Sequence, residues 1–372
     1  MSNKPKITYL LGAGASAFAV PTIKYFHLLL EKFRLEVNTK LQKVKLSEIE
    51  RQKVEEKLKL IDEITSFATV DTWARKLFLS KDPKYKQVKE LISLFLIYSQ
   101  FGCTDSIGQI ISDQKRMNQA GLLHLSDIEK TQLELMFQRP LDPRYDLFIG
   151  SILKHDKSND ILRFPDNINV ISWNYDSQFE SSLKSFSKSE ILRENKMKFE
   201  VNKLNGSANF TMVDIDDRSE EAFHFYNNIS KNRNFFPRLI SILAEQYEYK
   251  SEFENNLKFA WEMQTDIITS VSNIIANTDI LVVIGYTFPS FNQEVERELF
   301  RRNSSIQKVY YQIPENEYEG LLERLKGTIF KGDEIPTYIN GGNRVALGSI
   351  LPVKLVNIKD MNQFYIPNEF YI

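Results

Sequence analysis

Three separated apolar segments, each followed at once by small or amide-bearing residues, constrain the fold most. They are residues 7–11 before Gly12-Ala13-Gly14-Ala15-Ser16, residues 168–173 before Asn174-Tyr175-Asp176, and residues 280–284 before Gly285-Tyr286-Thr287-Phe288. Apolar runs of this length are typical of parallel strands that are buried on both faces. Because ligands of open α/β sheets bind at the carboxyl ends of the strands, the pattern predicts a Rossmann-like α/β fold with one shared nucleotide crevice.

The charge balance and the cysteine content exclude several classes of protein. The chain has 48 basic and 49 acidic residues, so no overall field favours nucleic acid or anionic lipid, and we expect no direct nucleic-acid binding. The one cysteine, Cys103, cannot form an internal disulfide or a cysteine-rich zinc site. Residues 1–6 have no signal-peptide pattern, and the most apolar helix candidate, residues 91–101, is about half the length that spans a bilayer. We therefore expect a cytoplasmic protein that holds no zinc and no membrane segment.

The pattern between the first two strands is helical. A helix is predicted over residues 14–34, and residues 35–64 are dense in lysine and glutamate at helical spacing, which indicates a solvated amphipathic helix pair. No strand is expected between residues 12 and 167, so residues 35–160 are interpreted as a helical insertion in a Rossmann-like domain formed by residues 1–34 and 161–372. Further helices are predicted at 73–79, 85–101, 104–120, 126–138, 142–153, 235–249, 253–276, 291–301 and 315–326, and further strands at 199–204, 308–313 and, as an edge strand, 353–356.

The glycine turn after the first strand has two interpretations. Glycines let the backbone approach a ligand closely, and a following helix amino terminus offers N–H groups to an anion, with Ser16 as a cap or phosphate donor. A short glycine turn is also a common tight connection between strand and helix. Ala17 fits the third small position of the dinucleotide fingerprint only loosely. No acidic residue closes a second strand about 20 positions later, which argues against an ordinary dehydrogenase.

The other strand ends also carry polar groups. Asn174 would project an amide with a donor and an acceptor into the crevice, and a functional role for it is slightly favoured over a structural one, whereas capping of the next helix is the simple explanation for Asp176. Residues 285–292 have two interpretations. They fit a loop whose backbone lets a nucleotide ribose or base pass over it, and they fit equally a proline-containing turn before a helix with Ser290 as the cap. Residues 203–207 have the same two interpretations.

The ordered set of motifs resembles one family. Gly-Ala-Gly-Ala-Ser at 12–16 with Pro21, Ser-Trp-Asn-Tyr-Asp at 172–176, Lys-Leu-Asn-Gly-Ser at 203–207 and Gly-Tyr-Thr-Phe at 285–288 with Asn292 resemble the sirtuin-like proteins of bacterial antiphage defence. Residues 70–73 and 142–145 look like landmarks of the same family, and the resemblance covers residues 7–313. Each motif is modest alone, and their order makes the set specific.

The resemblance implies NAD⁺ cleavage by an NAD⁺ glycohydrolase that acts as an abortive-infection effector, activated by a neighbouring-gene partner (an ATPase, an Argonaute-type protein or a nucleotide-processing enzyme) or by homo-oligomerisation. Deacylation is disfavoured because deacylating relatives carry a four-cysteine zinc module. The implied catalytic residues are Asn174, Asn205 and Asp176. The implied nucleotide-binding residues are Gly12, Ala13, Gly14, Ala15, Ser16, Pro21, Gly206, Ser207, Gly285, Tyr286, Thr287 and Asn292, with the first five at the pyrophosphate and Gly285, Thr287 and Asn292 at the adenosine side.

One departure from the family leaves the activity open. Asn205 stands where the family has a histidine, and an amide cannot act as a general base. Asn205 could still position a water, at a cost of about 10²–10⁴-fold in rate, or His224 could substitute for the missing base. Alternatively the chain is an NAD or ADP-ribose sensor or scaffold without turnover. A third interpretation is a Rossmann-type enzyme that uses another nucleotide.

Overall fold

The computed structural model describes most of the chain. The described residues are 4–20, 23–67, 69–101, 141–156, 161–186, 199, 201–214, 220–223, 235–245, 251–263, 265–301, 305–325, 344–345 and 353–371. The predicted helices 104–120 and 126–138, together with Pro21, Cys103 and His224, lie outside these residues.

Over the described residues the secondary structure is as follows. The α-helices are α1 (Ile23–Leu41), α2 (Glu48–Thr65), α3 (Val70–Leu79), α4 (Lys84–Phe101), α5 (Pro143–Ile152), α6 (Gln178–Phe186), α7 (Phe235–Leu243), α8 (Thr265–Ala276), α9 (Gln293–Phe300) and α10 (Tyr318–Leu325). The strands are β1 (Ile7–Leu11), β2 (Lys154–Asp156), β3 (Ile161–Arg163), β4 (Ile168–Ser172), β5 (Asn202–Lys203), β6 (Gly206–Asp214), β7 (Glu220–Phe223), β8 (Ser251–Leu257), β9 (Ile280–Ile284), β10 (Lys308–Gln312), β11 (Arg344–Val345) and β12 (Lys354–Ile358).

The chain divides into two compact units. One, here called the sheet unit, contains Met1–Ser16, Asp142–Asn205 and Lys258–Ile372, and the other, the helical unit, contains Ala17–Leu141 and Gly206–Leu257. This division differs from the sequence-based boundaries at 34/35 and 160/161. Strands β6 and β8 group with the helices because both of them pack against α4. Helix α5, which we expected in the insertion, belongs to the sheet unit.

The sheet unit is built on a seven-stranded sheet in the order β11-β12-β10-β9-β1-β4-β5. The six strands from β12 to β5 are parallel, and β11 is antiparallel to β12. Ile7 of β1 is level with Ile168 on one side and with Ile280 on the other, so the three strands end at the same edge. All five residues of β1 are buried. The predicted α/β class with a Rossmann-like parallel sheet is confirmed.

Helices cover both faces of this sheet. Successive strand residues point to opposite sides, and in β1 both sets of side chains are buried. Leu10 of β1 packs in a cluster with residues of α8, α9 and α10, among them Val271, Leu299 and Leu321. Its neighbour Tyr9 packs in a second cluster on the other face, which includes residues of α5 and α6 and the C-terminal Phe364. Burial on both faces explains why the strands are apolar runs rather than alternating patterns.

Several elements match the sequence-based expectations. Helix α3 covers the predicted helix 73–79 and begins three residues earlier, where Thr69 caps it by accepting a hydrogen bond from the backbone N–H of Thr72. Helix α5 covers most of the predicted helix 142–153, and Asp142 caps it by accepting from the backbone N–H of Arg144. Helix α4 and strand β10 lie where the pattern placed them.

Other elements were predicted wrongly. Residues 253–276 do not form one helix: β8 ends at Leu257, a 3₁₀ turn covers Ala260–Glu262, and α8 begins at Thr265. The pairing of β8 with β6 overrides the local preference. A β2–β3 hairpin lies within the stretch where no strand was expected, and β12 is paired on both sides rather than lying at the edge.

The helical unit combines α1–α4 and α7 with a three-stranded antiparallel sheet in the order β7-β6-β8. Helix α2 begins with a capping box of Ser47 and Glu50. The buried ammonium of Lys57 on α2 pairs with Glu90 of α4 at 2.6 Å and with Glu245 at 3.1 Å, so its charge is compensated. Within the described part of the chain, no helix combines the length and the apolar character needed to cross a bilayer.

Candidate functional site

The glycine turns after β1 and β9 lie with their backbones in direct contact. Gly14 donates a hydrogen bond to the carbonyl of Gly285 at 2.9 Å. A Cβ on Gly12 or Gly14 would come within 2.7 Å of the Gly285–Tyr286 backbone, and one on Gly285 would come within 2.4 Å of Gly14. Gly285 also has φ of +61°. The glycines are therefore required for contact between two turns, a reason that the sequence pattern does not reveal.

The same contact uses backbone donors of the first turn. Gly12 N–H donates to the Ile284 carbonyl at 2.9 Å, and Gly14 N–H donates to the Gly285 carbonyl at 2.9 Å. Ala15 N–H donates within the turn, to the Gly12 carbonyl at 2.8 Å. Residues 13–16 form a single 3₁₀ turn, and α1 begins only at Ile23, so the helix expected directly after the glycines is absent there. An anion cradle of these three N–H groups is not available in this arrangement, and the predicted pyrophosphate contact of the turn stays a prediction.

Arg144 fixes the glycine turn from the carbonyl side. Its guanidinium pairs with the Asp142 carboxylate, with an Nη2–Oδ2 distance of 2.6 Å, and both side chains are buried. Nη2 also donates to the carbonyls of Gly14 and Ala15, each at 3.1 Å. Nε also donates to Asp142 Oδ1 at 2.9 Å, so the planar guanidinium holds the carboxylate with two nitrogens while it reaches the turn, a geometry that a lysine ammonium does not reproduce. Arg144 therefore sets the conformation of the turn.

The Ser16 hydroxyl connects three other side chains. It lies 3.0 Å from the Tyr145 hydroxyl and accepts a hydrogen bond from Asn174 Nδ2 at 3.2 Å. Ser16 also hydrogen-bonds the Asp176 carboxylate, whose pKa burial raises and this bond partly brings back down. A hydroxyl has one donor and two acceptor positions, so donation to the carboxylate and acceptance from Tyr145 and Asn174 use all of them. Ser16 thus holds the Asn174 amide in place.

Asp176 caps the following helix and is also part of this cluster. Its Oδ1 accepts a hydrogen bond from the backbone N–H of Gln178 at 3.0 Å, which confirms the capping interpretation. Burial raises the pKa of the Asp176 carboxyl, while the nearby positive charge of Lys203 lowers it. Lys203 itself donates to the backbone carbonyl of Asp176 and pairs with Glu180 at 3.1 Å. Asp176 is the titratable carboxyl next to Asn174.

Asn205 follows β5 and is linked to the same strand end. Its Nδ2 donates to the backbone carbonyl of Trp173 at 3.1 Å, one residue before Asn174. Its Oδ1 is buried and has no hydrogen-bond partner among the described residues. The backbone carbonyl of Asn205 accepts from the N–H of Lys258 at 2.8 Å, which fixes the residue on its other side. An unsatisfied buried acceptor costs about 1–3 kcal/mol, so within the described residues this oxygen is an acceptor still open to a hydrogen-bond donor.

Tyr286 and Asn292 are engaged in a buried network with Glu296, a residue that the sequence did not single out. The Tyr286 hydroxyl donates to Glu296 Oε1, and Asn292 Nδ2 donates to that hydroxyl at 2.8 Å. Glu296 is 0% exposed, and burial raises its pKa to about 7. The Tyr286 ring stacks on Trp173 with 5.4 Å between the ring centroids. The network holds the loop after β9 against the end of β4.

The remaining predicted residues lie elsewhere. The carbonyl of Thr287 accepts from Arg324 Nε at 2.5 Å. Gly206 and Ser207 begin β6 in the helical unit, where Gly206 has φ of +64°. Sequence reasoning missed Arg144 and Tyr145 as site residues, although the motif at 142–145 was noted as a family landmark.

The structure is similar to three solved sirtuin structures. The first, a sirtuin studied for the structural basis of substrate affinity, has a TM-score of 0.33 and 10% identity and covers 82% of this chain and 81% of its own. The structure of Sir2Tm bound to a propionylated peptide has a TM-score of 0.27 and 13% identity, and the match covers 58% of this chain and 76% of that chain. A structure addressing the mechanism and regulation of Sir2 enzymes has a TM-score of 0.32 and 11% identity, and the match covers 87% of this chain and 92% of that chain. No family model matches the sequence, and no curated protein matches it. At these scores the likeness carries no statement about chemistry.

Proposed function

We propose that the chain is an NAD⁺ glycohydrolase whose site is formed at the carboxyl ends of β1, β4 and β5. The observation that carries the proposal is the pair of amides there: Asn174, held by Ser16, and Asn205, whose buried Oδ1 is left without a partner in the described part of the protein. Carboxamides in this position suit the hydroxyl and amide groups of a nucleoside. The location is the edge at which open α/β sheets bind nucleotides.

The proposed reaction replaces the bond between C1′ and the nicotinamide nitrogen with a bond from C1′ to water. The electron pair of the broken bond stays on nicotinamide, and the water loses a proton. Asn174 would orient the ribose and the attacking water, and Asn205 would assist. Asp176, whose carboxylate lies in the same hydrogen-bonded cluster as Asn174, is the nearby carboxyl that would take up this proton.

Nicotinamide release from NAD⁺ by the purified protein tests the proposal. Asn174→Ala is expected to abolish release while NAD⁺ still binds, as followed by calorimetry. Asn167→Ala is a matched control, because Asn167 lies before β4 at its amino end, where its Nδ2 donates to the carbonyl of Pro5 at 3.0 Å. Release that persists in the Asn174→Ala variant would show that the activity belongs to another site.

The alternative is a module that binds NAD⁺ or ADP-ribose without turnover, and the amide at position 205 favours it. Asn205→His discriminates between the two, because a histidine could donate to the Trp173 carbonyl through one nitrogen and act as a base through the other. If a missing base limits an existing reaction, the substitution should accelerate nicotinamide release by about 10²–10⁴-fold. Saturable binding with no release from either protein would identify the binding module.

The role in antiphage defence and the activating partner are part of the same proposal. We propose a cytoplasmic abortive-infection effector that uses NAD⁺ as its substrate, holds no zinc, and is switched on by a neighbouring-gene protein or by homo-oligomerisation. Its support is the ordered resemblance of the motifs between residues 7 and 313. Phage protection by the gene in a host cell, and its loss in the Asn174→Ala variant, is the corresponding test.

A further inference from the structure

An aromatic cluster in the sheet unit adjoins both amides. The rings of Phe259 and Trp261 are parallel, with 4.7 Å between their centroids and 5° between their planes. The edge of Tyr175 meets Phe259 at 6.3 Å and 77°. Phe259 is fully buried, whereas Tyr175 and Trp261 are partly exposed. The cluster is thus anchored in the core by its middle ring and reaches the surface at its ends.

Trp261 is rigidly linked to Asn205. The N–H of Lys258 donates to the Asn205 carbonyl, and the next residues form the 3₁₀ turn that carries the tryptophan. The Glu262 carboxylate accepts from the N–H of Phe259 at 2.9 Å, and the Glu262 N–H donates back to the Phe259 carbonyl at 2.8 Å. Reciprocal bonds close the backbone of this turn, and stacking on the buried Phe259 ring holds the indole against it.

A second aromatic side chain lies on an adjoining turn. The 3₁₀ turn at Ser290–Asn292 contacts the turn at Ala260–Glu262, and its Phe291 is 45% exposed. The two adjoining turns thus carry the partly exposed rings of Trp261 and Phe291, and the segment before the first turn is hydrogen-bonded to Asn205. An exposed aromatic ring next to polar groups is typical of surfaces that bind a ligand with one apolar face.

We propose that the indole of Trp261 is a stacking surface for a planar heteroaromatic ring of the nucleotide bound at the candidate site, and this inference rests on the proposed function. Stacking suits the observations because it needs a fixed flat ring and no hydrogen-bond match. Adenine and the nicotinamide ring of a dinucleotide share this chemistry. The cationic nicotinamide of NAD⁺ would gain in addition from the negative face of the indole.

Three probes and two substitutions test the stacking surface. ADP-ribose carries adenine, nicotinamide mononucleotide carries nicotinamide, and ribose 5-phosphate carries neither. Trp261→Ala should weaken calorimetric binding of one ring-bearing probe by about 5- to 150-fold and leave ribose 5-phosphate unchanged. Which probe is affected identifies the stacked ring. Trp261→Phe, which keeps a flat ring, should stay within about threefold of the wild type.

Tyr371→Ala is the matched control, since Tyr371 is an exposed aromatic on a 3₁₀ turn of the same unit. The preceding Glu369 pairs with Lys308 at the start of β10, which places this turn toward the amino ends of the strands. Circular dichroism checks the fold of each variant, and Trp261→Leu replaces the alanine variant should that one not fold. Equal affinities of wild type and Trp261→Ala for both ring-bearing probes would overturn the stacking surface alone. No saturable binding of any probe to the wild type would overturn the proposed function as well.

Discussion

Replacing Glu296 by glutamine tests the buried network directly through the pH dependence of stability. The carboxyl is fully buried, one oxygen accepts from Tyr286, and the other has no hydrogen-bond partner within the described residues. Burial raises its pKa from 4.5 to about 7, and each pH unit of such a change is worth about 1.4 kcal/mol. The folded protein therefore holds this proton more tightly than the unfolded chain by about 3 kcal/mol.

The sign follows from which state binds more protons. Between pH 4.5 and 7 the folded state is protonated at Glu296 while the unfolded state is ionised, so the free energy of unfolding falls as the pH rises. Below pH 4.5 Glu296 is protonated in both states and its contribution to the unfolding free energy does not change with pH. Above pH 7 it becomes ionised in both states, and the loss of unfolding free energy is complete. Between pH 5 and 8 the loss is about 2.5 kcal/mol. In the Glu296→Gln variant this component is absent, because the amide does not titrate.

Urea unfolding at pH 5, 6, 7 and 8, followed by tryptophan fluorescence, measures the effect. The difference in unfolding free energy between wild type and Glu296→Gln should change by about 2.5 kcal/mol across this range, in favour of the variant at high pH. The unpaired amide adds a cost that does not vary with pH. Glu294→Gln, on an exposed position of the same helix, should show no such change. A constant difference for Glu296→Gln would refute the assignment of a buried carboxyl that is protonated near neutral pH.

Three further substitutions test the turns and the serine cluster. Gly285→Ala should lower the unfolding free energy by at least about 3 kcal/mol, because its backbone has φ of +61° and the added Cβ would meet Gly14 at 2.4 Å. Gly320→Ala is its control: the added Cβ would meet only the guanidinium end of Arg324, so the unfolding free energy should rise by up to about 1 kcal/mol in the same urea assay. Arg144→Ala should cost about 3–5 kcal/mol, since it removes the guanidinium from a buried carboxylate, and a cost below 1 kcal/mol in thermal or urea unfolding would contradict this. Ser16→Ala should cost about 1–3 kcal/mol and reduce nicotinamide release, because the Asn174 amide loses its acceptor; unchanged release would remove Ser16 from the positioning of that amide.

The sheet was predictable because its signal is local. Each strand that is buried on both faces has to be an apolar run, and residues 7–11, 168–172 and 280–284 carry that signal without help from the rest of the chain. Strand β8 was not predictable in this way, since its sequence Ser-Glu-Phe-Glu-Asn-Asn-Leu is mostly polar and only its pairing with β6 makes it a strand.

The site was predictable only where its residues follow strands. Asn174 and Asp176 fall at the end of β4, so topology alone placed them together. The roles of Arg144 and Tyr145 depend on contacts with residues about 130 positions earlier, which no spacing rule connects. The first glycine turn was located correctly, but its glycines serve a neighbouring backbone turn, and a single sequence does not distinguish that reason from ligand approach.

The chain passes between the two units at residues of the candidate site. The polypeptide leaves the sheet unit immediately after Ser16 and again immediately after Asn205, and these are the serine that holds the Asn174 amide and the amide with the unsatisfied oxygen. A substitution at either position therefore changes a link between the two units and the candidate site at the same time.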